Sequence, residues 1–147
     1  MKSGFKFNLI KQKGVAAVEF ALIASLLFSV LFGVIEMGRI LYYMNSAAEA
    51  TRLGARVAVV CDMNAFAIKT RMQSMLSILA TSNINIAYLP SACTQANCQT
   101  VTVSITNLSV NTFIPFIPFT LNMPSFSTTL PRESLSSTGY GNNALCS

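Results

Sequence analysis

Lys11-Gln-Lys-Gly-Val-Ala-Ala-Val-Glu-Phe-Ala-Leu-Ile-Ala-Ser-Leu-Leu-Phe-Ser-Val-Leu-Phe-Gly-Val-Ile35 decides the architecture. A basic leader ends at Gly14, and an apolar run starts at the next residue. Val15 to Ile35 is 21 residues, which at about 1.5 Å per residue covers roughly 30 Å, the thickness of a bilayer core. The pattern predicts a membrane-spanning helix that displays everything downstream. One carboxylate, Glu19, interrupts the run five residues past the glycine. A charge at mid-membrane costs about 2.5–3.5 kcal/mol, and less near the interface where Glu19 would sit. Either Glu19 snorkels to the headgroups, or it has a use that a plain anchor would not need.

The distribution of charge points the same way. Of the formal +5 on 147 residues, Lys2, Lys6, Lys11 and Lys13 supply four within the first 14, leaving only +1 for the rest. This is the positive-inside pattern, which holds the N-terminus in the cytoplasm and predicts the residues after Ile35 outside. It is not the distributed basic face of a nucleic-acid binder, so the expected partner is the lipid bilayer and not a nucleic acid. The chain contains no His, and its five acidic residues are scattered. The commonest general base and metal ligand is therefore missing, no glycine loop for phosphate is present, and neither an enzyme nor a cofactor is expected.

Four cysteines fall on the outer side. An even number in an exported domain favours disulfides, with three possible pairings. Cys93 and Cys98 close a short loop and form the favoured local bridge, which leaves Cys61 for Cys146. Zinc held by four thiolates and free thiols are the competing readings. A cleaved secretory signal is a further alternative, with small residues around Ala48-Glu-Ala50. The apolar run is long for a signal's hydrophobic region, however, and Ala48 lies more than ten residues beyond its end. Retention of the helix is preferred.

Further along, no proline precedes Pro90 and five occur from there on, dividing a helical first half from a β-rich second half. The predicted architecture is α+β. A leader (1–14) and a transmembrane helix (15–35) continue into an amphipathic helical stem (36–61), then a small head (62–147) with a second helix and a short antiparallel sheet. In the stem, Ile40, Met44, Ala47, Thr51, Ala55 and Ala58 recur near the helical period, opposite a charged face of Glu49, Arg52 and Arg56. The small residues suit close packing, either on the head or on another subunit. Asp62 or Asn64 is expected to cap the second helix, with Ile68, Met72, Met75, Leu76 and Leu79 as its apolar face. Val101, Val103 and Ile105 alternate with polar residues and give the clearest strand. Asn83–Leu89 and Ser125–Leu130 are weaker candidates. Phe113-Ile-Pro-Phe-Ile-Pro-Phe119 reads as an extended apolar segment, covering the head's core or docking a partner subunit.

Three stretches carry a family resemblance. Lys-Gln-Lys-Gly at 11–14 followed by Val-Ala-Ala-Val-Glu-Phe resembles the class III signal of type IV prepilins. Phe-Gly-Val-Ile-Glu-Met-Gly-Arg at 32–39 and Ala-Ala-Glu-Ala-Thr-Arg-Leu-Gly-Ala-Arg at 47–56 narrow the likeness to the TadE-like minor pilins and pseudopilins of the tight-adherence (Tad, or Flp) pilus system. The resemblance covers about residues 13–60. It implies cleavage of Gly14–Val15 by a prepilin peptidase, with Lys11 and Lys13 in the signal and Val15 as the new N-terminus. Glu19 and Phe20 then stand at +5 and +6, where many pilins of the system have Glu-Tyr. It also implies an inner-membrane location, with other pilins and assembly proteins of the system as partners. The alternatives are a pseudopilin of another secretion system and a membrane-anchored binding module that keeps its leader.

Overall fold

The computed structural model describes residues 13–113, 119–138 and 143–146. The chain divides into two units, Met1–Met37 and Gly38–Ser147. A single helix, α1 (Lys13–Val60), runs through the division. Its N-terminal part is long and apolar enough to cross a membrane, and none of its most apolar window is buried in the protein. Two serines interrupt that surface. The Ser25 hydroxyl donates to the Leu22 carbonyl (2.9 Å) and the Ser29 hydroxyl to the Ser25 carbonyl (2.8 Å), so both polar groups are satisfied within the helix and suit an apolar surrounding.

Beyond Met37 the same helix becomes the core of the second unit. Ala47, Ala50, Thr51, Gly54, Ala55 and Ala58 are buried, while Glu49, Arg52 and Arg56 are exposed. The stripe of small residues thus packs on the chain's own head. Arg52 and Glu49 pair one turn apart on the solvent face (2.5 Å), a contact that at such exposure contributes only a few tenths of a kcal/mol.

The head supplies a second helix, α2 (Phe66–Met75), and an antiparallel sheet of β1 (Ile84–Leu89), β2 (Thr100–Ile105) and β5 (Phe126–Pro131), in the order β1-β2-β5. In β2 the period of two is clean. Val101, Val103 and Ile105 are fully buried, while the Thr102 hydroxyl meets that of Thr129 on β5 at 2.8 Å on the other face. A separate ribbon pairs β3 (Ser109–Asn111) with β4 (Thr120–Asn122). The apolar proline segment lies between these two strands. Residues 114–118 of it fall outside the described residues, so its expected role as cover for the core is carried only by its ends, and Phe113 and Phe119 are both exposed.

Two expectations are corrected. Neither Asp62 nor Asn64 caps α2; the cap position is Ala65, with no side-chain hydrogen bond. Asn64 has φ 58°, outside the extended region that an N-cap residue adopts, and the Asp62 carboxylate is engaged elsewhere. Met75 is 43% exposed and is not core. The chain leaves helical geometry at Leu76, which is extended, so Leu76 and Leu79 reach the core from beyond the helix and not from its face.

At Gly54, α1 lies close against Met72 and Val103 of the head. A Cβ there would lie 2.5 Å from Met72 Sδ, 2.9 Å from Met72 Cγ and 3.2 Å from Val103 Cγ1. Met72 is itself fully buried and has little room to retreat. Gly54→Val is therefore expected to destabilise the head by about 1–3 kcal/mol, the usual range for overpacking. Gly54→Ala should do less harm, because gained helix propensity offsets part of the clash. Urea unfolding of both variants checks this, and a valine variant as stable as the parent would refute the close fit.

Candidate functional site

The residues singled out at the N-terminus stand on the first turns of α1. Lys13 opens the helix, Lys11 lies outside the described residues, and Gly14, Val15, Glu19 and Phe20 are all exposed. A Cβ at Gly14 would meet nothing within 4 Å. The protein's own packing therefore does not require glycine there, although glycine inside a helix costs roughly 0.5–1 kcal/mol relative to alanine. Glu19 is four residues, about one helical turn, beyond Val15. Helical side chains lean toward the N-terminus, so the carboxylate leans toward the turn that Val15 occupies.

At the other end, α1 is closed by a device that sequence reading did not find. The last carbonyls of a helix have no partners within it. Here the chain returns over them: Glu133 N–H and Leu135 N–H donate to the Val59 carbonyl (3.2 and 3.1 Å), and Ser136 N–H (3.1 Å) and the Ser134 hydroxyl (2.9 Å) donate to that of Val60. Leu135 is fully buried in this strap. Its φ of 46° is an unusual conformation for leucine, which explains why no turn signal announced it.

Next to the strap, Cys61 is bonded to Cys146, and Cys93 to Cys98. The cysteines are thus all paired, in the favoured pairing, and do not converge as a thiolate set. Asp62 completes the junction. Ser137 N–H donates to its carboxylate (3.1 Å), as does the Gln95 amide (3.0 Å), whose nitrogen also reaches the Leu135 carbonyl. Ser137, through its N–H first and its hydroxyl second, holds the Asp62 carboxyl below its ordinary value; burial opposes this, and the Gln95 amide adds the smallest lowering contribution.

The sign of that shift fixes a pH dependence. A carboxylate whose folded pKa lies below the unfolded value, about 3.9, stabilises the fold above that value and ceases to do so as the pH falls through the folded one. Asp62→Asn is therefore expected to be less stable than the parent at neutral pH, with the gap closing in acid below about pH 4. Urea midpoints of both proteins across that range test it, and a gap independent of pH would refute it.

A third contact lies near the start of the second unit. Arg39 Nη2 donates to the Asn111 carbonyl at 2.5 Å, and the guanidinium lies 5.7 Å from the centroid of the Tyr43 ring. Among the described residues no cluster of three or more metal-ligating side chains occurs.

Residues 14–56 match the family described as TadE-like protein, so the matched region begins at Gly14 and ends within the buried stem. Neither a curated protein nor a solved structure matches the chain.

Proposed function

We propose that this chain, whose residues 14–56 match the TadE-like family, is a minor pilin or pseudopilin that takes part in building a Tad-type pilus. In this reading a prepilin peptidase cuts Gly14–Val15 and the leader with Lys11 and Lys13 is left in the cytoplasm. Val15–Ile35 stays in the inner membrane, and the head stands in the periplasm. The protein then associates laterally with other pilins and with inner-membrane assembly proteins. It is a structural subunit, and no catalytic step falls to it.

One observation carries the reading. Gly14 is glycine inside a helix, in open space, with no packing reason to be glycine, at the first residue of the family match. A peptidase that must approach the backbone supplies such a reason. Two disulfides in the head support an oxidising compartment for it. The exposed, largely apolar surface of α1 supports lateral contact with other helices or with lipid.

The test is the N-terminal sequence and mass of the protein made with and without its cognate peptidase. A new N-terminus at Val15, dependent on the peptidase and absent from a Gly14→Glu variant, is expected. An intact leader in both backgrounds would leave an anchored binding module instead.

A further inference from the structure

We propose that the Cys61–Cys146 bond is opened and closed through Cys146 alone, at a cavity beside α2 that receives a small thiol carrying a negative charge. The site lies wholly within the second unit. It depends neither on the membrane anchor nor on cleavage of the leader.

The two sulfurs of this bond stand in opposite surroundings. Cys61, directly after the last residue of α1, is fully buried. Cys146 is only half-buried and borders a cavity of about 370 Å³, whose other wall is α2 from Phe66 to Ser74. Thiol–disulfide exchange is a displacement at sulfur, in which a thiolate attacks one sulfur and the other departs. With Cys61 enclosed, a thiolate reaches the bond only from the Cys146 side, which is also the side opposite the departing sulfur. The new bond therefore forms to Cys146 and the Cys61–Cys146 bond breaks. Cys61 leaves with the electron pair and takes up a proton from water.

The cavity selects the incoming thiol. Phe66 is 76% exposed and offers an apolar ring, a favourable neighbour for sulfur. Arg71 supplies the charge. Its Nη2 donates to the Ala144 carbonyl (3.3 Å), which sets the guanidinium beside the tail two residues before Cys146. No Asp or Glu occurs between Met63 and Arg132. Asp62 turns its carboxylate to Ser137 and Gln95 and does not line the cavity. A cation beside the sulfur favours a thiolate over a thiol, and it draws in a thiol that is itself an anion.

The buried partner sets the direction of the exchange. A thiolate at Cys61 would stand without water at the C-terminal, negative end of α1. Cys61 is thus a poor leaving group, and the adduct at Cys146 closes again by attack of Cys61 unless a second thiol resolves it. Closure of the bond follows the same path in reverse.

The test treats the full chain, in an uncharged detergent at low salt and without denaturant, with excess 2-mercaptoethanesulfonate, 2-mercaptoethanol or cysteamine. These thiols carry a negative charge, no charge and a positive charge. Samples quenched in acid at intervals are digested and mapped by mass. The parent is compared with Arg71→Gln and Arg71→Lys, so that the intrinsic reactivity of each thiol cancels. Arg71 is exposed, and the mapping of the parent alone needs no variant.

The first adduct is expected on Cys146, with Cys61 as the free thiol. Arg71→Gln should slow opening by the sulfonate about three- to fivefold, the effect of one unit charge a few ångström away in water. It should leave mercaptoethanol unchanged and speed cysteamine, and Arg71→Lys should keep the parent's order. A first adduct on Cys61, or opening of this bond only in denaturant, would overturn the route through Cys146. Rates that do not depend on Arg71 would overturn the choice of an anionic thiol.

Discussion

Replacing Cys61 and Cys146 together by alanine is expected to lower the unfolding free energy of the head by about 4–5 kcal/mol, and replacing Cys93 and Cys98 by only about 2 kcal/mol. The difference comes from the loops that the bridges close. One joins residues 85 apart in sequence and the other residues 5 apart. In the chain-entropy account a cross-link stabilises by restricting the unfolded chain, and its effect grows with the logarithm of loop length. Alanine is the correct replacement because Cys61 and Cys98 are buried, and a serine hydroxyl there would bring its own desolvation penalty.

For a domain whose whole stability is about 5–15 kcal/mol, the loss of the long bridge is severe. It should nevertheless leave α1 closed at its end, because Glu133, Leu135 and Ser136 still donate to Val59 and Val60. Urea unfolding of the detergent-solubilised full chain, read by circular dichroism, measures both variants. Equal losses, or a larger loss from Cys93 and Cys98, would refute the loop-length account and place the stabilisation in native contacts around Cys146.

What could be read from the sequence, and what could not, separates along physical lines. The stem face from Ala47 to Ala58 and the β2 alternation were legible because each obeys one local period, and burial then follows from that period. The disulfide pairing was legible because a five-residue gap closes readily and only one complement then remains. The strap over Val59 and Val60 was not. It depends on Leu135 in a left-handed conformation and on donors more than 70 residues from their acceptors, and no local pattern encodes such a contact. Asp62 misled for a related reason: an acidic residue just before a helix satisfies the capping rule locally, yet its donors came from Gln95 and Ser137. The ribbon strands, three residues each, are too short to show a period at all. At the N-terminus, Gly14 and Glu19 were conspicuous because neither suits an apolar helix. The structure adds that packing does not explain Gly14.

Glu19→Gln, made in the chain with its leader, is expected to be inserted and cut at Gly14 as the parent is, yet to fail at the next step. In the proposed reading, cutting would create an α-amino cation at Val15, one turn from the carboxylate, at the membrane face. A lone charge in that setting is costly and a matched pair is tolerable. Whether the carboxylate meets its own amine or that of a neighbouring subunit, glutamine abolishes the match while keeping size and hydrogen-bonding capacity. Leaving one partner of a buried pair uncompensated costs about 3–5 kcal/mol, which corresponds to a loss of roughly two to three and a half powers of ten in association. Crosslinking of the processed protein to the pilin partners proposed for it, in membranes, measures that loss, with the N-terminal sequence confirming that cutting has occurred. Glu19→Asp keeps the charge on a shorter arm and should fall between the two. If Glu19→Gln associates as well as the parent, the carboxylate only snorkels to the headgroups. If Glu19→Gln is not cut, its role belongs to recognition by the peptidase, and the association step has to be carried by the apolar surface of α1 alone.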